Sequence, residues 1–98
     1  MTKIFEQGEE IIFQATFYSD RNRTNPVDPT NVVLKIQKPN GSIATPVINL
    51  DGARPANVGK YITTITVSEY GDYDWRWETG NPLFIKQGTI QVNQNLVV

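Results

Sequence analysis

The stretch Tyr70-Gly71-Asp72-Tyr73-Asp74-Trp75-Arg76-Trp77-Glu78 decides how this chain is built. Tyr73, Trp75 and Trp77 alternate with Asp74, Arg76 and Glu78. In a strand, successive side chains point to opposite faces, so this order makes one aromatic face and one charged face. Gly71 precedes it as a turn breaker. A loop gains nothing from such an order, whereas a sandwich core needs it: each ring buries about 150–250 Å². Both tryptophans therefore read as core packing. Trp77, closer to the strand end at Thr79-Gly80, is the better candidate for partial exposure, and a sugar-stacking platform is the sharper alternative.

Working outward, the same alternation recurs. Glu10 to Tyr18 sets Ile11, Phe13, Ala15 and Phe17 against Ile12, Gln14, Thr16 and Tyr18. Val32, Leu34 and Ile36 alternate with Val33, Lys35 and Gln37. Gly59 to Val67 turns Tyr61, Thr63, Ile65 and Val67 inward, a register that obliges the Thr63 hydroxyl to find a partner. Pro39-Asn40-Gly41-Ser42 carries the Asn-Gly hairpin signal, which expects φ > 0 at both central positions. Ile43 to Leu50 is the return strand, placed at an edge because Pro46 cannot donate to a ladder. Leu83 to Val92 is the last strand, with Gly88 as a bulge or crossover point. Lys3 to Phe5 adds a short first one. Ser19 to Thr30, Asp51 to Val58 and Thr79 to Pro82 are loops and turns rich in Asn, Asp, Gly and Pro. No segment sustains a helical period.

About seven short strands without helices predict an all-β antiparallel sandwich. The order of features resembles an immunoglobulin-like fold. Gly71-Asp72-Tyr73-Asp74-Trp75 places Tyr73 at the tyrosine corner of such domains and Trp75 at the core position two residues on, where antibody domains carry a Cys. Here there is no cysteine, so the resemblance is architectural.

With 98 residues, 39% hydrophobic and 10% aromatic, the chain supports one globular domain over residues 1–98. A net charge of −1 with dispersed Lys and Arg argues against nucleic acid, which needs a concentrated basic surface. The absence of His and Cys removes disulfides, thiolate chemistry, His-based zinc sites and Ser-His-Asp or Cys-His nucleophiles. It also favours a reducing compartment. No signal peptide and no membrane span are legible, so a soluble cytoplasmic product is expected. Asp20, Asp51 and Asp72 sit in loops that a sandwich could gather into a calcium cage, but they read as turn formers and solvated charges. No catalytic residue, metal or cofactor is expected.

The apolar surplus carries more. Ile12, Tyr18 and Val33 lie opposite their strands' core stripes, and Phe84 and Ile85 cannot both point inward. Asn95-Leu96-Val97-Val98 ends on apolar residues. Candidate partner-binding residues are therefore Ile12, Tyr18, Trp77, Phe84, Leu96, Val97 and Val98. The segments 1–7 and 93–98 are candidate arms that either add a strand to a partner's sheet or dock on the domain's own edge. Arg76, between Asp74 and Glu78, is expected to make surface ion pairs of small worth.

Val27-Asp28-Pro29-Thr30-Asn31-Val32, Leu34-Lys35-Ile36, Pro39-Asn40-Gly41-Ser42, Gly59-Lys60-Tyr61 and Gly71 to Gly80 follow one another with a spacing that covers residues 8 to 92. In this the chain resembles small immunoglobulin-like proteins encoded among the structural genes of tailed bacteriophages. It departs from them in having Phe84-Ile85-Lys86-Gln87 where an alanine-rich aliphatic end is common. The resemblance implies a non-catalytic virion component assembled in the host cytoplasm. The best fit is a capsid decoration (cement) protein bound to the major capsid protein, as a dimer or trimer. A neck or tail module, or a glycan-binding adhesion module, is the alternative.

Overall fold

Period-2 patterning becomes two sheets packed face to face. The computed structural model describes residues 3–94. Its strands are β1 (Lys3–Glu6), β2 (Glu10–Thr16), β3 (Val33–Gln37), β4 (Ile43–Ala44), β5 (Asn49–Leu50), β6 (Lys60–Thr66), β7 (Gly71–Glu78) and β8 (Ile85–Asn93). One sheet has the order β1-β8-β7-β3-β4 and the other β2-β6-β5. The chain is an all-β sandwich without helix among the described residues.

The inward stripes are the ones the alternation marks. Ile11, Phe13, Ala15 and Phe17 on one sheet, and Leu34, Ile36, Tyr73, Trp77, Ile90 and Val92 on the other, are buried. Phe17 is the hub, with ring centroids 5.5 Å from Phe84, 5.8 Å from Tyr61 and 6.4 Å from Trp77. Trp75 meets Phe13 edge-on at 6.2 Å. Such edge-to-face contacts add about 0.5–1.5 kcal/mol each beyond the area they bury.

Thr63, only 4% exposed, donates its hydroxyl to Val47 O at 2.8 Å. This resolves the cost of turning it inward. Tyr73 forms the corner: its hydroxyl donates to Glu69 O at 2.9 Å and accepts from Glu69 N at 3.1 Å. Asp28 and Thr30 fasten the long loop between β2 and β3. The Asp28 carboxylate accepts from Gly59 N (2.7 Å), Tyr61 OH (3.1 Å) and Arg54 Nε (2.8 Å). Thr30 exchanges backbone bonds with the 79–81 turn, as Gly80 N donates to Thr30 O and Thr30 N to Asn81 O.

Four expectations are corrected. Residues 43–50 are not one strand: β4 pairs with β3, the chain then changes sheets past Pro46, and β5 pairs with β6. The 39–41 turn has φ > 0 at Gly41 alone. Pro39 occupies the position whose φ its ring already fixes, Gly41 N donates back to Lys38 O, and Lys38 N donates to Ser42 O. That is a three-residue loop with a glycine bulge rather than a two-residue one. Gly88 is no bulge, since it pairs regularly with Trp75. Finally, not every pairing is antiparallel: β1 runs parallel to β8, Lys3 beside Ile90 and Glu6 beside Asn93. Most of the supposed N-terminal arm is thus a strand docked on the domain's own edge.

Gly88 explains where Trp75 lies. A Cβ there would stand 2.6 Å from Trp75 Cζ2, so the indole rests directly on bare backbone. Replacement by valine should lower stability by about 1–3 kcal/mol, the usual result of overpacking, and move Trp75 toward solvent. Urea denaturation followed by tryptophan emission reads both effects. Tyr73→Phe leaves Glu69 N without its partner and should cost about 1–3 kcal/mol in the same assay.

Candidate functional site: a cleft at the open edge of the sandwich

The parallel strand β1 covers only part of the β8 edge. It pairs with Ile90 to Asn93, so among the described residues the side of β8 facing away from β7 has no strand partner from Ile85 to Thr89. Across from it runs β2, whose one strand partner among the described residues is β6 on its other side. Between these two open edges lies a cleft of about 570 Å³, lined by Phe5, Ile11, Phe13, Trp75, Gly88 and Ile90 among others. Its floor is aromatic because Gly88 lets the Trp75 ring lie across β8, and Phe13 meets that ring from the opposite sheet. Trp75 is half-buried there.

Lys86 straps one end. Its ammonium donates to Thr16 O at 2.7 Å and stands 5.4 Å from the Phe17 ring centroid. Burial, with help from nearby Arg23, lowers its pKa. Lys3 and Phe5 bound the other end.

A second, shallower depression lies on the outer face of the five-stranded sheet, among Lys35, Asp74, Arg76, Glu78, Gln87 and Thr89. Its charged groups and Thr89 pair with one another: Lys35 Nζ to Glu78 Oε2 at 2.9 Å, Arg76 Nε to Glu78 Oε1 at 3.1 Å, and Thr89 Oγ1 to Asp74 Oδ1 at 2.8 Å. These exposed pairs are of the weak kind.

The structure scatters the residues that the sequence singled out as a contact set. Ile12 is 59% exposed on the outer side of β2, at the cleft's rim. Tyr18, half-buried, lies beyond the end of β2 in an isolated bridge with Pro26. Trp77 is corrected outright: at 2% exposure it is core, held against Phe17. The strand end does not expose it, because the Thr79 side chain closes the following turn by donating to Pro82 O and accepting from Phe84 N. Phe84 is likewise drawn in toward Phe17, which leaves Ile85 as the outward member of that pair at 49% exposure. Leu96, Val97 and Val98 lie outside the described residues. Trp75, Phe5 and Gly88 were missed as cleft residues. The signal for them was Gly88 standing opposite Trp75 in the β7–β8 register.

Among the described residues no three acidic side chains stand together as metal ligands. The Asp20 carboxylate instead caps its own loop, accepting from Thr24 N at 3.0 Å and Asn25 N at 2.9 Å. Further large apolar side chains are exposed: Ile4, Ile43, Val47, Leu50, Tyr70 and Leu83.

The Asp28 clasp holds the loops at one end of this scaffold. The hydrogen bond from Arg54, ahead of those from Gly59 and Tyr61, keeps the Asp28 carboxyl below the ordinary carboxylate range. A carboxyl held low in the folded protein adds stability above its unfolded pKa and loses it as pH falls through the folded one. Thr24 holds Asp20 low, and Lys35 does the same for Glu78. Asp28→Asn should therefore flatten, without abolishing, the fall in urea midpoint below about pH 5. A variant as acid-sensitive as the parent would remove Asp28 from that role. No protein-family model matches this chain, and neither does any curated protein with which it was compared.

Proposed function

We propose that the chain is a non-catalytic, immunoglobulin-like structural protein of a phage particle, and that it acts as a decoration protein on the head. The observation that carries this reading is the combination of a tightly fastened sandwich with large apolar side chains left outside it. Ile12, Ile43, Val47, Leu83 and Ile85 are each about half exposed or more. A protein that works by surface burial needs such a rigid frame and such side chains at its perimeter. The strand order, with β2-β6-β5 against β1-β8-β7-β3-β4, and the Tyr73–Glu69 corner support the immunoglobulin-like part.

The glycan-binding alternative loses its named anchor, because Trp77 is in the core. Only Trp75 remains as an accessible indole, and it lies in a cleft rather than on a flat platform. A neck or tail location would use the same surfaces with another partner.

Capsids lacking the protein, incubated with the purified chain and sedimented, test the proposal. Stoichiometric recovery in the pellet is expected, with loss of binding on truncation after Gln94 if the 95–98 segment is the anchor. Absence of both forms from the pellet would contradict a place on the head.

A further inference from the structure

We propose that the cleft between β8 and β2 seats the chain's own first two residues. Met1 and Thr2, which lie outside the described residues, continue β1 along β8, and the Met1 thioether closes over the Trp75 indole beside Gly88. Register identifies the occupant. Strand β1 follows β8 one residue at a time, from Glu6 beside Asn93 back to Lys3 beside Ile90. Carried on in the same parallel register, Thr2 stands beside Thr89 and Met1 beside Gly88. These two residues cover about 7 Å of strand edge, as Gly88 and Thr89 do. Pairing there protects a stretch of edge that folded proteins avoid leaving bare.

Alternation decides which way each side chain points. Lys3 and Phe5 line the cleft and Phe5 packs on the core, whereas Ile4 is 61% exposed. Position 1 shares the face of Lys3 and Phe5, and position 2 that of Ile4. The inward row across the sheet therefore reads Met1, Gly88, Trp75, Ile36. Gly88 adds no side chain to that row, and the Trp75 ring lies over it, with Cζ2 2.6 Å from where a Cβ would stand. Toward the sheet edge, the next side chain beside the ring is that of residue 1. Methionine suits the place: it is unbranched, fills irregular gaps, and its sulfur packs well against the edge of an aromatic ring. Thr2, turned outward, is the polar member of the pair. The cleft is then a seam within one molecule, closed by backbone pairing at its edge and by a thioether over its floor.

Met1 is the chain's one methionine, so protein carrying a carbon-13 label in the methionine methyl, and confirmed by mass to retain Met1, gives a single methyl signal. In the folded full chain that signal should be displaced upfield by the indole ring current and show NOEs to Trp75 and to the Gly88 α-protons. In urea it should return to the free-methionine position. Trp77→Phe should leave the displacement and the contacts in place, because Trp77 packs on Phe17. A second readout uses that variant with residues 1–2 removed, its urea midpoint reporting that the fold persists. Its acrylamide quenching constant should exceed that of the same variant with residues 1–2 present, Trp75 being the more accessible indole of the two in either form. A methyl signal at the free position without NOEs would overturn the inference, as would a quenching constant unchanged by the removal. NOEs from Trp75 to the methyls of Leu96, Val97 or Val98 in place of Met1 would give the seat to the C-terminal segment and overturn it as well. The inference is independent of the capsid assignment, since none of these readouts involves capsids.

Discussion

Where β7 points its rings governs the rest of this structure. Tyr73, Trp75 and Trp77 all face the β2 sheet, and each has a different neighbour to satisfy. Tyr73 is tied by its hydroxyl to Glu69, Trp77 packs on Phe17, and Trp75 lies on Gly88 against Phe13. These contacts set the spacing of the two sheets. They need a partner strand with aromatic residues at every fourth position, which Phe13 and Phe17 provide. They also need a gap in β8, which Gly88 provides. Full burial of rings of this size is worth about 1.5–3 kcal/mol apiece, in a domain whose whole margin is of order 5–15 kcal/mol.

The fold was legible because this constraint is written as alternation. The inward faces of β2, β3, β6 and β7 follow from residues two apart, and the need for a Thr63 partner followed from its place on an inward face. What the sequence hid was long-range. Nothing local tells that Pro46 marks a change of sheet, or that β1 joins β8 in parallel. A glycine opposite a tryptophan looks like a bulge until the register places them side by side. Trp77 was misread for a similar reason: distance along the strand suggested an exposed end, but the turn after it is closed by the Thr79 side chain and roofed by Phe84.

The functional side was less legible because it resides in what is left unpaired rather than in any motif. Apolar residues such as Ile12 were visible as surplus, but the cleft appears only when β1 is seen to stop short along β8. Polar fastening by Asp28, Arg54 and Thr30 ties the loops to the sheets without producing a site of their own. A scaffold that fixes its loops and leaves a strand edge with an aromatic floor is suited to binding by burial and backbone pairing. The seating of Trp75 over Gly88 gives the cleft its aromatic floor, and the reach of β1 along β8 sets where its edge lies.

The most direct test of this account is acrylamide quenching of the two single-tryptophan variants. With Trp77→Phe, the remaining Trp75 should be readily quenched and emit at longer wavelength. With Trp75→Phe, the remaining Trp77 should be shielded severalfold and emit to the blue. Equal accessibility, or a quenchable Trp77 beside a shielded Trp75, would contradict both the core and the cleft described here.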